Sequence, residues 1–185
     1  MIANQTIGRS FKGVLQYVFK KEEATFAFSN LANTPNDGIN RMANELIAVS
    51  SQRPNLSRSV AHIQFSPNPE DNISDEKFEE FIKAWLEEMG YIDCLYAVAF
   101  HEDTDIKHAH VVISRVTLYN EVVSESNNYA KSIKITRKLE KNFNLIPTLP
   151  KGNDHAPKWQ KNKIIKPHEF IKKSIKSVGA TAPSM

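Results

Sequence analysis

Two apolar stretches, residues 95–101 and 108–118, are separated by only six residues, 102–107, and this arrangement constrains the fold more than any other feature. Both stretches are rich in valine, isoleucine, alanine and phenylalanine, the composition of buried strands. A six-residue connector is too short for a helical crossover, so the strands must pair as an antiparallel hairpin. An all-parallel sheet is thereby excluded, because the hairpin joins the two most apolar strands.

The rest of the pattern surrounds that hairpin with both element types. Residues 2–6 and 24–28 read as short strands. Residues 59–66 alternate, with Ala61, Ile63 and Phe65 on one face and His62, Gln64 and Ser66 on the other, the mark of a half-buried strand. Ser10 can cap a helix over residues 11–21, whose apolar arc is Phe11, Val14, Leu15 and Val18, with Lys12, Gln16 and Lys20 opposite and Tyr17 on the rim. Helical spacing also covers residues 37–52. A third helix, 74–89, opens at Ser74, carries Phe78, Phe81, Ile82, Trp85 and Leu86 on one stripe, and closes at Gly90. A fourth runs over about 127–143. The predicted class is α+β: an antiparallel, or mixed, central sheet with helices packed mainly on one face.

At 185 residues the chain suits one compact domain. The expected division is a core domain at 1–146 and a basic extension at 147–185, where a short helix over 167–178 is the one further element. Residues 151–176 hold eight lysines against Asp154 and Glu169. Such a cluster reads either as a polyanion-binding segment or as a solvated tail. Trp159 within it suits either base stacking or core packing. The absence of a secretory h-region and of a membrane-length apolar run predicts a cytoplasmic protein without membrane insertion. Cys94 is the single cysteine, so any metal must be held by histidine and carboxylate.

Three of the six histidines fall within ten residues: His101, His108 and His110. Strand alternation sends His108 and His110 to the same face, about 7 Å apart along the chain, and the hairpin returns the strand beside His101. Three imidazoles can thus converge on a divalent ion and leave coordination positions open, as a catalytic site requires. Asp103 and Asp105 lie in the turn. A carboxylate there can fix an imidazole tautomer, and ordinary turn chemistry explains the same residues equally well.

These residues carry a resemblance. His101, Asp103, Thr104, Asp105, His108 and His110, followed by Val-Val-Ile-Ser-Arg-Val, resemble the metal motif of plasmid mobilisation relaxases, the MobA-like class of the HUH endonucleases. Residues 8–17 resemble the family's N-terminal motif, and residues 62–67 more weakly its middle motif. The resemblance covers about residues 1–146 and implies a relaxase-like palm. It also implies that His101, His108 and His110 bind a divalent ion, magnesium or manganese in function, with zinc, nickel or cobalt as alternatives. Tyr17, otherwise a packing residue at a helix rim, becomes the nucleophile; Tyr91, Tyr96 and Tyr119 are weaker candidates. Asp103 becomes the supporting carboxylate. Arg9, Lys12, Lys20 and Lys21, near that tyrosine, become candidate DNA contacts.

The implied activity is nicking of one strand of single-stranded DNA at an origin of transfer. It proceeds through a 5′-phosphotyrosine, is followed by rejoining, and takes place with accessory relaxosome proteins. Two alternatives share parts of this reading. A rolling-circle replication initiator uses the same chemistry at a different origin. A non-catalytic DNA-binding module would hold a structural metal, its site closed by His62 or Asp105.

Overall fold

The computed structural model describes residues 1–148; all but the first two residues of the expected extension at 147–185 lie outside them, with the lysine-rich segment, Trp159 and the expected helix at 167–178. The elements run β1 (Ile2–Gly8), α1 (Phe11–Phe19), β2 (Ala24–Ser29), α2 (Ile39–Ser50), β3 (Val60–Ser66), α3 (Asp75–Met89), β4 (Cys94–His101), β5 (His108–Thr117) and α4 (Asn128–Asn142), with one 3-10 turn at Pro35–Asp37. The expected α+β class is found.

The local signals act as expected. Ser10 and Ser74 adopt extended backbone, and each accepts a hydrogen bond from the backbone N–H three residues on, which satisfies one otherwise orphaned helix donor. Gly90 takes φ 94° at the end of α3, a left-handed cap that glycine adopts without steric cost.

The five strands form one sheet in the order β1-β3-β5-β4-β2, and every pairing is antiparallel. The β4–β5 hairpin therefore lies inside the sheet, with β3 on the far side of β5. Helices cover both faces, which corrects the expectation of helices mainly on one side. Phe11, Leu15 and Val18 of α1 and Met42, Ala43 and Leu46 of α2 pack with Val60, Ala97, Ala99 and Val112. On the opposite face Phe78, Phe81, Ile82 and Trp85 of α3 and Ile135 and Leu139 of α4 pack with Ala61, Ile63, Phe65, Val98, Phe100 and Val111. The reason lies in β5, which is buried at all ten of its positions. A strand apolar on both sides needs cover on both sides, whatever its direction.

Aromatic packing dominates on the α3–α4 side. Phe65 and Trp85 meet edge to face at 5.0 Å, and the Trp85 indole N–H donates to Thr136 Oγ1 at 3.1 Å, so its one polar atom is satisfied. No helix among the described residues is long and apolar enough to cross a membrane.

Candidate metal centre

The register of the hairpin sets the site. His101 pairs directly with His108, and Ala99 with His110. Residues 101, 108 and 110 consequently share the face covered by α1 and α2, at the end where the apolar packing of those helices stops. The rings lie 4.3 Å (101 to 110), 5.1 Å (108 to 110) and 5.4 Å (101 to 108) apart. All three side chains are buried, and each offers one ring nitrogen within 4.8 Å of the others.

Hydrogen bonds to the outer nitrogens decide which lone pairs are free. His101 Nε2 lies 2.7 Å from the Val18 carbonyl. A carbonyl only accepts, so Nε2 carries the proton and Nδ1 the lone pair. That Nδ1 is buried without a partner, although a buried polar atom ordinarily has one. His108 Nδ1 donates to the Ile106 carbonyl at 3.2 Å, which leaves Nε2 as its acceptor. Asp103 Oδ1 lies 3.4 Å from that same Nε2. Two acceptors thus face one another, a conflict that a proton or a cation between them relieves. His110 Nδ1 contacts His62 Nε2 at 2.9 Å, which leaves His110 Nε2 for the centre. The orphaned Nδ1, the facing acceptors and the all-imidazole donor set fit a divalent ion.

Burial favours the neutral form of His62, His101 and His110. Burial, reinforced by the neighbouring imidazoles and Lys21, pushes His110 down to about 3. Burial also lowers His62 and His101. Neutral imidazole is the form that ligates metal. Asp103 is held below the usual carboxylate range first by its hydrogen bond from Lys21, whose Nζ lies 2.6 Å from Oδ2.

Helix α1 closes the site with its last turn. Phe11, Leu15 and Val18 anchor it to the sheet, and the Val18 carbonyl engages His101. Tyr17, on the rim as its position in the helical wheel requires, is 55% exposed. Its ring is nearly perpendicular to those of both His62 and His110, with centroids 6.0 Å from each. Lys21 Nζ lies 5.2 Å from the Tyr17 ring centre, so one ammonium links the tyrosine to Asp103.

The other tyrosines lie elsewhere. Tyr96 packs against Phe28 on the α3–α4 side. Tyr91 is buried in that same layer, and burial pushes its hydroxyl up to about 12. Tyr119 is exposed beyond the far end of β5.

The structure thus brings together His101, His108, His110, Tyr17, Asp103 and Lys21. Arg9 and Lys12 are not in this group. They lie at the opposite end of α1, beside a shallow pocket of about 370 Å³ that Arg53 and Ser59 also line. Lys20 is the exposed C-cap of α1 and makes none of these contacts. Sequence reasoning missed the Val18 carbonyl, and it gave His62 only the part of closing a structural metal site. His62 shares a strand face with Gln64, but only the β3–β5 pairing, with His62 opposite Val112 and Gln64 opposite His110, reveals that this face meets the histidines.

Comparison with known proteins agrees with this geometry. The family model for relaxases, MobA/VirD2-like, nuclease domain, matches residues 17–145. The matched span begins at Tyr17 and includes all three histidines and both hairpin strands. No curated protein matches the chain. With well over half of its length matched, the chain belongs to the MobA/VirD2-like relaxase family of the HUH superfamily, nucleases that bind single-stranded DNA and nick it in mobilisation.

Proposed function

We propose that this chain nicks and rejoins one DNA strand at an origin of transfer, with Tyr17 as the nucleophile. The observation that carries this reading is the position of Tyr17. It is the tyrosine whose ring lies against the histidine cluster, and it is accessible to a polymeric substrate.

In the proposed reaction Tyr17 Oη attacks a phosphodiester phosphorus. An O–P bond to tyrosine forms as the bond from phosphorus to the 3′ oxygen breaks. The phenolic proton leaves, and the departing oxygen becomes a free 3′-hydroxyl after gaining one. The 5′-phosphotyrosine keeps the ester bond, so attack by a 3′-hydroxyl reverses the step and reseals the strand.

His101 through Nδ1, and His108 and His110 through Nε2, would hold the divalent ion, for which magnesium or manganese is proposed. When bound, such an ion neutralises charge on the non-bridging phosphate oxygens and orients the phosphate. The remaining work falls to the chain's own residues. Phenols are largely protonated at neutral pH and need assistance to attack; the Lys21 ammonium stands beside the ring, 5.2 Å from its centre. Asp103 holds Lys21 on one oxygen and faces His108 with the other, so it positions both. The strand is proposed to run along α1, with Arg9, Lys12 and Lys20 contacting its phosphates and accessory relaxosome proteins presenting the origin.

The test is a denaturing gel of the purified protein, manganese, and single-stranded oligonucleotides tiling candidate origin-of-transfer DNA. A slower, protease-sensitive protein–DNA band is expected from the wild type. Tyr17→Phe should abolish it, and EDTA should suppress it. An undiminished band from Tyr17→Phe would remove Tyr17 from the reaction. Cleavage confined to replication-origin DNA would instead place the chain among rolling-circle initiators.

A further inference from the structure

His62 comes from a strand outside the hairpin, and neither its spacing nor the metal motif assigns it a part in the centre. It is nevertheless placed between the two groups that matter most. Its Nε2 lies 2.9 Å from His110 Nδ1, with the two rings nearly parallel at an interplanar angle of 22°. The same ring meets Tyr17 at a centroid distance of 6.0 Å and an interplanar angle of 77°.

We infer that His62 is a positioning residue: it fixes the ligating tautomer of His110 and the stance of Tyr17. The tautomer argument follows from donors and acceptors. A 2.9 Å contact between two neutral imidazole nitrogens contains one proton. If that proton sits on His62 Nε2, His110 Nδ1 accepts it, and His110 Nε2 must then bear its own proton toward the centre. A protonated nitrogen cannot ligate a metal. If the proton sits on His110 Nδ1, His62 Nε2 accepts it, and the lone pair of His110 Nε2 faces His101 and His108. Metal binding therefore selects His62 as the acceptor, with its own proton on Nδ1. The other two ligands have their outer nitrogens held by the carbonyls of Val18 and Ile106, groups that can only accept. His62 gives the third ligand an acceptor where the backbone supplies none, the usual arrangement around a ligating histidine. Because the ring that accepts from His110 also supports Tyr17, one side chain relates the nucleophile to the ligand set.

This inference rests on the metal-binding reading above, and its test separates the two. Binding of Zn²⁺ and Mn²⁺ is measured for the wild type, His62→Gln and His62→Phe by competition with a chromogenic chelator. Glutamine places an acceptor oxygen close to the Nε2 position, whereas phenylalanine retains the ring without an acceptor. Wild-type binding with His62→Gln within about threefold, and His62→Phe weaker by about 10- to 100-fold, supports the inference. Equal binding by His62→Phe and wild type overturns it. Absence of binding by the wild type removes the metal-binding reading itself, and the inference with it.

A second measurement does not depend on a variant folding. In the zinc-loaded wild type, imidazole nitrogen NMR should report His110 protonated at Nδ1 and ligated through Nε2, with His62 protonated at Nδ1 and unligated. A zinc-ligated His62, or a His62 protonated at Nε2, contradicts the assignment.

Discussion

The sheet presents the same strands to two different surroundings. Toward α3 and α4, the residues of β3, β4 and β5 are Ala61, Ile63, Phe65, Val98, Phe100, Ala109 and Val111, which join one apolar cluster with Trp85 and Phe81. Toward α1 and α2, Val60, Ala97, Ala99 and Val112 begin in the same way. There the apolar set ends, and His62, His101, His108 and His110 occupy the next positions along the strands. The side chains of alternate residues thus do different work: one set fixes the register, and the other uses that register to aim four imidazoles. A one-residue slip of β5 would turn its histidines toward α3, so the apolar face of the strands protects the geometry of the polar one.

If this division of labour holds, substitutions on the two faces should fail in different ways. The largest effect is expected from Tyr17→Phe. Adduct formation should fall by 1,000-fold or more, on the order of the loss when a nucleophile is deleted. Because Tyr17 is more than half exposed, its denaturation midpoint should stay close to that of wild type. Trp85→Ala reverses the pattern. It should cost about 3–5 kcal/mol in urea unfolding, yet leave metal affinity near wild type in the fraction that remains folded. A loss of affinity without loss of stability would break the comparison.

His108→Ala should remove the metal-linked stability, and with it the metal-dependent adduct. Manganese at 100 times its dissociation constant should stabilise the wild type by about 2.7 kcal/mol, and the variant should gain almost none of this. Differential scanning fluorimetry with and without the ion reads the difference.

Acid should loosen the histidine face first. The ordinary histidine value is 6.5, and His110 is pushed down to about 3. Between these values the unfolded chain binds a proton that the native chain does not. Stability is therefore full above about pH 6.5 and falls as the pH drops toward 3, with a slope of at most about 1.4 kcal/mol per pH unit for one such group. His62 and His101 shift in the same direction. Urea unfolding across this window should give a shallower slope for His110→Gln than for wild type. The smallest effect concerns Lys12, remote from the centre: Lys12→Gln should reduce the salt dependence of single-strand binding by about one phosphate contact without changing metal affinity.

Much of this arrangement was legible in the residues. A six-residue connector between two apolar strands forces the hairpin, the hairpin sets His101 opposite His108, and strand alternation brings His110 to the same side. The wheel of α1 also put Tyr17 on the rim of the buried arc. What could not be read was which strand borders β5. Pairing partners across long stretches of sequence leave no local periodicity, so β3 beside β5, and hence the role of His62, emerged only in three dimensions. The helices on both faces were missed for a related reason, since an apolar strand does not state which helix covers which side. The choice between Asp103 and Asp105 also required coordinates: Asp103 reaches Lys21 and His108, whereas Asp105 makes no ion pair among the described residues.

The chain's chemistry is proposed to occur where the last turn of α1 meets the histidine face. Peptide mapping of the protein–DNA adduct by mass spectrometry tests it most directly. After nuclease and trypsin digestion, the nucleotide mass is expected on the segment 13–20, in which Tyr17 is the only tyrosine. A nucleotide on a peptide carrying Tyr91, Tyr96, Tyr119 or Tyr129, or on His62, would contradict the claim.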